Sequence, residues 1–210
     1  MADLRSLRRL PARFGYETGP RLMSWLRKRW VLLRHPHAEV RFGRGVYLGP
    51  GFSLHLPDAG SFVAGDRVEF RRDFRCEISD RGRVAIGAET HFTYSVLIQC
   101  STSMDIGERC VFAQSVLLVD GQHRFRDLDH PPAHGGFEFS PLRVDDDAMV
   151  LAKSTVMADV GARALVGANS VVTRPIPAYT VAVGAPARPI DYFGPPGQEP
   201  EDLVRAQPAG

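Results

Sequence analysis

The chain has 210 residues, 44% of them hydrophobic and 24% charged, with a net charge of +2. That is the profile of one globular domain with appendages, and it excludes a chain that is a nucleic-acid polycation throughout. Gly (20) and Pro (16) are too frequent for long uninterrupted helices, because these two residues cost a helix the most.

The near-neutral total hides an asymmetry. Residues 1–45 hold 11 Lys/Arg against 3 Asp/Glu, a net of +8, and the remainder is acidic. Within this basic part, residues 21–34 predict an amphipathic helix, with Leu22, Trp25 and Leu26 sharing one face. Residues 1–40 are therefore an N-terminal helical extension. Two roles fit it: a cap over the open end of the domain it precedes, or peripheral contact with an anionic membrane surface. The cap is the favoured expectation.

From residue 42 an apolar residue recurs every six positions, often followed by Gly. The triplets are Phe42/Leu48/Leu54, Ala64/Phe70/Cys76, Ile86/Phe92/Ile98, Ile106/Phe112/Leu118, Val144/Val150/Val156 and Val160/Val166/Val172. A helix repeats at 3.6 and a strand at 2, so neither explains a period of six. Three sixes make one triangular turn of a parallel β-helix, each flat side sending one apolar residue inward. Gly and small residues are expected at the corners, where the backbone needs unusual angles. Such a coil buries its apolar side only by stacking on neighbours. Triplet starts are spaced 22, 22, 20, 38 and 16 residues apart. The step of 38 implies a protruding loop at about 124–143. The step of 16 has no explanation at this level. The fold expected over 41–190 is an all-β parallel β-helix, and the Pro/Gly/Glu-rich tail 191–210 is expected to be flexible.

Cys76, Cys100 and Cys110 form no C-x-x-C pair, so neither a disulfide framework nor a thiolate zinc site is indicated, and a reducing cytoplasm is the simplest setting. No apolar stretch reaches membrane-span length, and no secretory signal core is evident.

The six-residue repeat, together with the stretch from Val166 to Arg188 (VGANSVVTRPIPAYTVAVGAPAR), resembles the hexapeptide-repeat acyltransferases, which include galactoside, maltose and polysaccharide O-acetyltransferases. The resemblance covers about residues 40–192. It implies a left-handed parallel β-helix, a homotrimer with active sites in the clefts between subunits, acetyl-CoA as acyl donor with no metal, and a sugar or glycan acceptor. Acyl transfer from a thioester needs a base for the acceptor hydroxyl and a donor for the oxyanion. Histidine suits the base role because its ordinary pKa is near neutrality. The segment Asp120-Gly-Gln-His123 resembles the family's Asp-x-x-His motif, which implies His123 as catalytic base. Asp120 would hold the acceptor hydroxyls or orient the site. By the same resemblance Tyr94 and Ser95 contact the acceptor. Ala152, Ala168, Thr173, Arg174 and Arg188 contact CoA, Thr173 and Arg174 near its nucleotide end and Arg188 through a phosphate. The competing reading of each is a corner residue or a solvated charge. His130 and His134 either line the acceptor cleft or are solvated loop residues.

One departure stands out. Val150-Leu151-Ala152-Lys153 lacks the usual corner glycine close to the implied CoA cleft, which is expected to reshape it. Two rival functions remain. A zinc hydro-lyase resembling the gamma-class carbonic anhydrases needs three His around a metal. The four-residue gap expected after His123 leads to Leu128, and His130 and His134 have three residues between them. The other rival is a catalytically silent trimeric scaffold. Nothing points to nucleic acid as a partner.

Overall fold

The computed structural model describes residues 19–126, 130, 131 and 134–206. Helix α1 (Gly19–Arg34) opens it. Strands then come three to a turn, and each such turn is a coil. Coil 1 holds β1 (Glu39–Phe42), β2 (Tyr47–Leu48) and β3 (Ser53–His55). Coil 2 holds β4 (Ser61–Ala64), β5 (Glu69–Phe70) and β6 (Arg75–Ile78). Coil 3 holds β7 (Arg83–Ile86), β8 (His91–Phe92) and β9 (Leu97–Cys100), and coil 4 holds β10 (Ser103–Ile106), β11 (Val111–Phe112) and β12 (Leu117–Val119). The protruding segment forms a hairpin of β13 (Gly121–His123) and β14 (Phe137–Phe139). Coil 5 resumes with β15 (Leu142–Val144), β16 (Met149–Val150) and β17 (Thr155–Val156). Coil 6 keeps only β18 (Leu165–Val166) and β19 (Val171–Val172). The end is made by β20 (Thr180–Val183), β21 (Arg188–Tyr192) and α2 (Glu201–Ala206).

The coils stack into three sheets, so each side of the solenoid is one sheet. Sheet A runs β1-β4-β7-β10-β15. Sheet B runs β2-β5-β8-β11-β16-β18-β20-β21. Sheet C runs β3-β6-β9-β12-β17-β19. Pairing within them is parallel except for β20 with β21. The inward residues are those of the six-residue repeat: Leu48, Phe70, Phe92, Phe112, Val150 and Val166 on sheet B are all fully buried. Phe70 stacks on Phe92 at 5.2 Å and Phe92 on Phe112 at 4.9 Å. Those spacings are close to the separation of paired strands, about 4.8 Å, so in-register pairing places ring on ring.

The register accounts for the uneven repeat. Sheets B and C succeed each other at constant intervals of six, and all length variation falls on the corner from sheet C to sheet A. There the chain runs from Leu54 to Ala64, Cys76 to Ile86, Ile98 to Ile106, Leu118 to Val144, Val156 to Val160 and Val172 to Ile176. The short step arises because coils 5 and 6 cross to the next coil with no strand on sheet A. Single bridges Val144–Val160 and Val160–Ile176 replace it. One inward residue per side is enough to fill the core, and Val160 and Ile176 are buried.

The corner glycines have a different cause from the expected one. Gly43, Gly65, Gly87 and Gly107 at the A-to-B corner are absent from the positive-φ positions. A Cβ on Gly87 would stand 2.5 Å from the carbonyl carbon of Gly107 in the next coil. Close stacking of coils, not backbone angle, therefore requires glycine there. The left-handed conformation falls two residues later and is carried mostly by side-chain-bearing residues: Arg67, Glu89, Arg109, Asp147, Arg163 and Tyr179. Their side chains form a ladder along this edge. Arg67 pairs with Glu89, Arg109 with Asp147 at 2.7 Å, and Arg163 lies over the Tyr179 ring. Arg109 holds the Asp147 carboxyl below its ordinary range. Gly87→Ala is expected to lower stability by about 1–3 kcal/mol through overpacking, read as a lower urea midpoint at unchanged slope.

At the N-terminal end, α1 covers the free edge of β2. Ser24 Oγ accepts from Leu48 N–H at 2.8 Å, Arg27 donates to Leu48 C=O at 2.9 Å, and Lys28 donates to Val46 C=O at 2.9 Å. Edge groups that would otherwise be open to pairing are thereby satisfied. The helix buries Ser24 and Val31 against the solenoid. Leu22, Trp25, Leu26, Trp30 and Leu33 face out, with Trp30 60% and Leu33 73% exposed. At the other end, the tail expected to be flexible carries α2, whose Leu203 is buried.

Candidate functional site

The protruding segment leaves sheet C through Asp120. Its backbone N–H reaches Gln99 C=O at 3.3 Å, and its own C=O accepts from Ser140 N–H at 2.8 Å, tying the two ends of the excursion together. The side chain is 5% exposed. Its carboxylate accepts from Ser101 N–H at 2.9 Å, Thr102 N–H at 2.7 Å and Thr102 Oγ1 at 2.8 Å. Asp120 thus clamps the hairpin onto the preceding coil, with its acceptor capacity turned inward.

From this clamp β13 and β14 run antiparallel, with His123 opposite Phe137. The two rings lie 4.2 Å apart, and Phe137 stacks on Phe139 at 5.6 Å. Arg124 N–H closes the hairpin on Gly136 C=O at 3.0 Å. A Cβ on Gly121 would meet the Phe139 ring at 2.3 Å, so a side chain there would push the aromatic face away. The imidazole is exposed and makes no hydrogen bond among the described residues. It borders a cleft of about 490 Å3 with Gln122, Arg124, Phe125, Arg126 and Glu138. The imidazole thus stands on a solvent-facing arm whose base is hydrogen-bonded to the preceding coil.

The three thiols are all buried and free. Burial pushes the Cys76 thiol well up and Cys110 up to about 11. Burial and the neighbouring Asp120 raise Cys100 to about 12. A thiol in that range carries almost no thiolate at neutral pH.

The remaining implied residues fall in three places. Thr173 and Arg174 come directly after β19 at the C-to-A corner, the same edge as the hairpin. Thr173 lines a cleft of about 410 Å3 with Asp120, Gln122, Phe139, Ser140 and Met157. Tyr94, Ser95, Ala152 and Ala168 lie on the B-to-C corner. There Ser115 N–H donates to Tyr94 C=O, Lys153 N–H to Gln114 C=O and Asn169 N–H to Ala152 C=O, all at 2.9 Å. Coils 3 to 6 thus share one continuous column. Arg188 opens β21 on sheet B and is exposed. A single chain therefore places the column on one edge of the prism and His123 on the next. His134 is exposed, with its N–H on Pro131 C=O. Among the described residues, no three His, Cys, Asp or Glu side chains come together as a metal site.

The missing glycine at Leu151 needs no compensation. The equivalent corner position in coils 2, 3 and 4 holds Arg71, Thr93 and Ala113, and Leu151 N–H still bonds Val166 C=O at 2.8 Å. The left-handed residue of that corner is Lys153. The residues that sequence reasoning misses are Phe137 and Phe139. The alternation Phe137-Glu138-Phe139 is their signal, a strand pattern inside a segment expected to be only a loop.

The three-sided parallel solenoid is similar in fold to solved hexapeptide-repeat acetyltransferases. The chain is 20% identical, at a TM-score of 0.56, to a hexapeptide-repeat acetyltransferase from Vibrio cholerae complexed with acetyl-CoA, covering 80% of this chain and 78% of that one. It is 17% identical, at a TM-score of 0.63, to an N-acyltransferase from Bacillus cereus in complex with dTDP-4-amino-4,6-dideoxyglucose and coenzyme A, covering 78% and 88%. By sequence it is 28% identical over 171 residues to a probable acetyltransferase from Mycobacterium tuberculosis, 78% of this chain. The chain spans only 56% and 41% of the lengths of two curated relatives it matches. No family model matches it.

Proposed function

We propose that the chain is an acyl-CoA-dependent O-acyltransferase that moves an acetyl or other short acyl group to a hydroxyl of a sugar or glycan. The observation that carries this reading is His123 held out on a hairpin whose base Asp120 locks. His123 takes the proton of the acceptor O–H as the oxygen attacks the thioester carbonyl carbon. The C–S bond then breaks, and the imidazolium returns the proton to the departing CoA sulfur. Backbone N–H groups stabilise the oxyanion between these steps. Asp120 positions the arm. Thr173, Arg174 and Arg188 serve the nucleotide end of CoA, and Ala152 and Ala168 offer a side-chain-poor corner to its pantetheine arm.

The coil is read as left-handed, as in the family resembled, and the working unit as a homotrimer. The division of the site between two edges of the prism supports this. A neighbouring copy that sets its B-to-C column against the hairpin edge completes the constellation. Light scattering is expected to give three chains per particle. Free CoA release, screened over sugars and amines with acetyl-CoA, tests the activity, and release with none of the sugars while an amine reacts overturns O-transfer. Consumption of acetyl-CoA with any acceptor also rules out a silent scaffold.

The proposed location is cytoplasmic, and beside its cap role α1 offers a face for peripheral contact with the inner membrane surface. No helix of the described residues is long and apolar enough to cross a membrane. The outward Leu/Trp face of α1 is flanked by Arg21, Arg29 and Arg34, and the helix contains no acid. Like charge opposes cover by a second copy of α1, which holds basic residues and no acid. An anionic lipid surface complements it. The full chain is expected to pellet with phosphatidylglycerol vesicles and not with phosphatidylcholine vesicles. The Trp25→Ser/Trp30→Ser double variant is expected to stay in the supernatant; equal pelleting of both proteins overturns the contact.

A further inference from the structure

A second cleft lies at the N-terminal end of the solenoid, away from His123. It has a volume of about 660 Å3 and is lined by Pro20, Arg21, Tyr47, Glu69, Arg71, Arg72 and Tyr94, with Pro50. That is within the size range of small-ligand sites, about 300–1,000 Å3. Its residues come from α1, coil 1, coil 2 and coil 3, so it spans two strand spacings, about 10 Å along the axis.

The charge balance of this cleft is specific. Its one acid, Glu69, is already engaged by Arg71 at 3.3 Å and by His91 at 3.3 Å. Arg21 and Arg72 have no acidic partner among the described residues and are exposed. Two guanidinium groups without an acidic partner among the described residues thus line a cavity whose walls include two tyrosines. Tyr94 is 52% exposed at that corner of the single chain. A planar guanidinium matches a carboxylate or phosphate in bidentate fashion. An aromatic ring beside it offers a flat apolar surface with a hydroxyl handle. A sugar ring bearing an acidic group satisfies both.

Position connects this cleft to the proposed reaction. Tyr94 sits on the B-to-C corner column that continues through Gln114 to Ala152 and Ala168. The cleft therefore adjoins the acyl-donor column end to end, at the side away from the closing strands. We infer that it is a subsite for the acidic portion of the acceptor, so that the acceptor is an anionic carbohydrate bearing carboxylate or phosphate. This rests on the acyltransferase reading above and narrows its acceptor class.

The test is titration calorimetry of the full chain with three probes: an oligogalacturonate hexamer, neutral maltohexaose and UDP-glucose. At least one acidic probe is expected to bind tenfold or more tightly than maltohexaose. Arg72→Gln and Arg21→Gln are each expected to weaken that binding by tenfold or more, and Tyr94→Leu by severalfold. Binding of the hexuronate alone assigns the carboxylate; binding of UDP-glucose alone assigns the phosphate. Binding of neither, or equal binding of neutral and acidic probes, overturns the inference. So does undiminished binding in both arginine variants. Acetyl-CoA titrated into the same variants separates this from the broader reading. Lost acetyl-CoA affinity in Arg72→Gln would mean that the arginines hold the donor's phosphates, which also overturns the inference. Failure of the parent chain to bind acetyl-CoA sinks the acyltransferase reading whatever the carbohydrates do.

Discussion

His123→Ala is expected to lower turnover by about 10²- to 10⁴-fold, the range for loss of a positioned general base. The acetyl-CoA dissociation constant and the oligomeric state are expected to stay unchanged. The imidazole is exposed, and its ring neighbour is Phe137, so its removal leaves no cavity in the core. Folding and chemistry are thus cleanly separable at this position. His123→Gln is the sharper control, since it keeps polarity and much of the volume but accepts no proton at neutral pH. A free-CoA assay on parent and variants, with urea unfolding run alongside, makes the comparison. Turnover within threefold of the parent in both variants removes His123 from the role of base and leaves the hairpin without its proposed chemistry.

The fold is legible because the solenoid writes itself in a period that neither helix nor strand uses. Each flat side contributes one inward residue, so Leu48, Phe70, Phe92 and Phe112 can be placed on a common wall from spacing alone. The six-residue interval survives because two of the three corners never change length. The third absorbs every insertion and deletion, which is why it also launches the excursion at Asp120. The short coils are opaque for the same reason: a side reduced to the single bridge residue Val160 leaves no strand pattern to read. Corner glycine is visible in the sequence, but its cause is not. What forbids a side chain on Gly87 is the backbone of Gly107, twenty residues away in the sequence and one coil away in space. The site is half legible. His123 and Asp120 are close in sequence, and their motif can be read. Placing Tyr94 beside Arg72 and Arg21 requires knowing that three coils and the start of a helix share one edge.

Asp120→Ala is expected to cost about 2–4 kcal/mol of stability and most of the activity together. The carboxylate accepts from two backbone N–H groups and the Thr102 hydroxyl while nearly fully buried. Truncation strands those donors at the corner of coils 3 and 4, and an unsatisfied buried donor costs about 1–3 kcal/mol. It also loosens the Asp120 backbone, which bonds Gln99 C=O and Ser140 N–H and so ties the two ends of the excursion together. Asp120→Asn keeps one oxygen acceptor for Thr102 N–H, so its stability loss is expected to be about half as large. On the proposal that Asp120 acts through the position of His123, the Asn variant is expected to lose kcat while its KM for acetyl-CoA stays near the parent value. A residue that bound the acceptor directly would instead raise the acceptor KM. Urea unfolding and steady-state rates on both variants separate the two roles. An unchanged urea midpoint in Asp120→Ala would show that the three hydrogen bonds do not hold the arm, and the positional account of the site would fall with them.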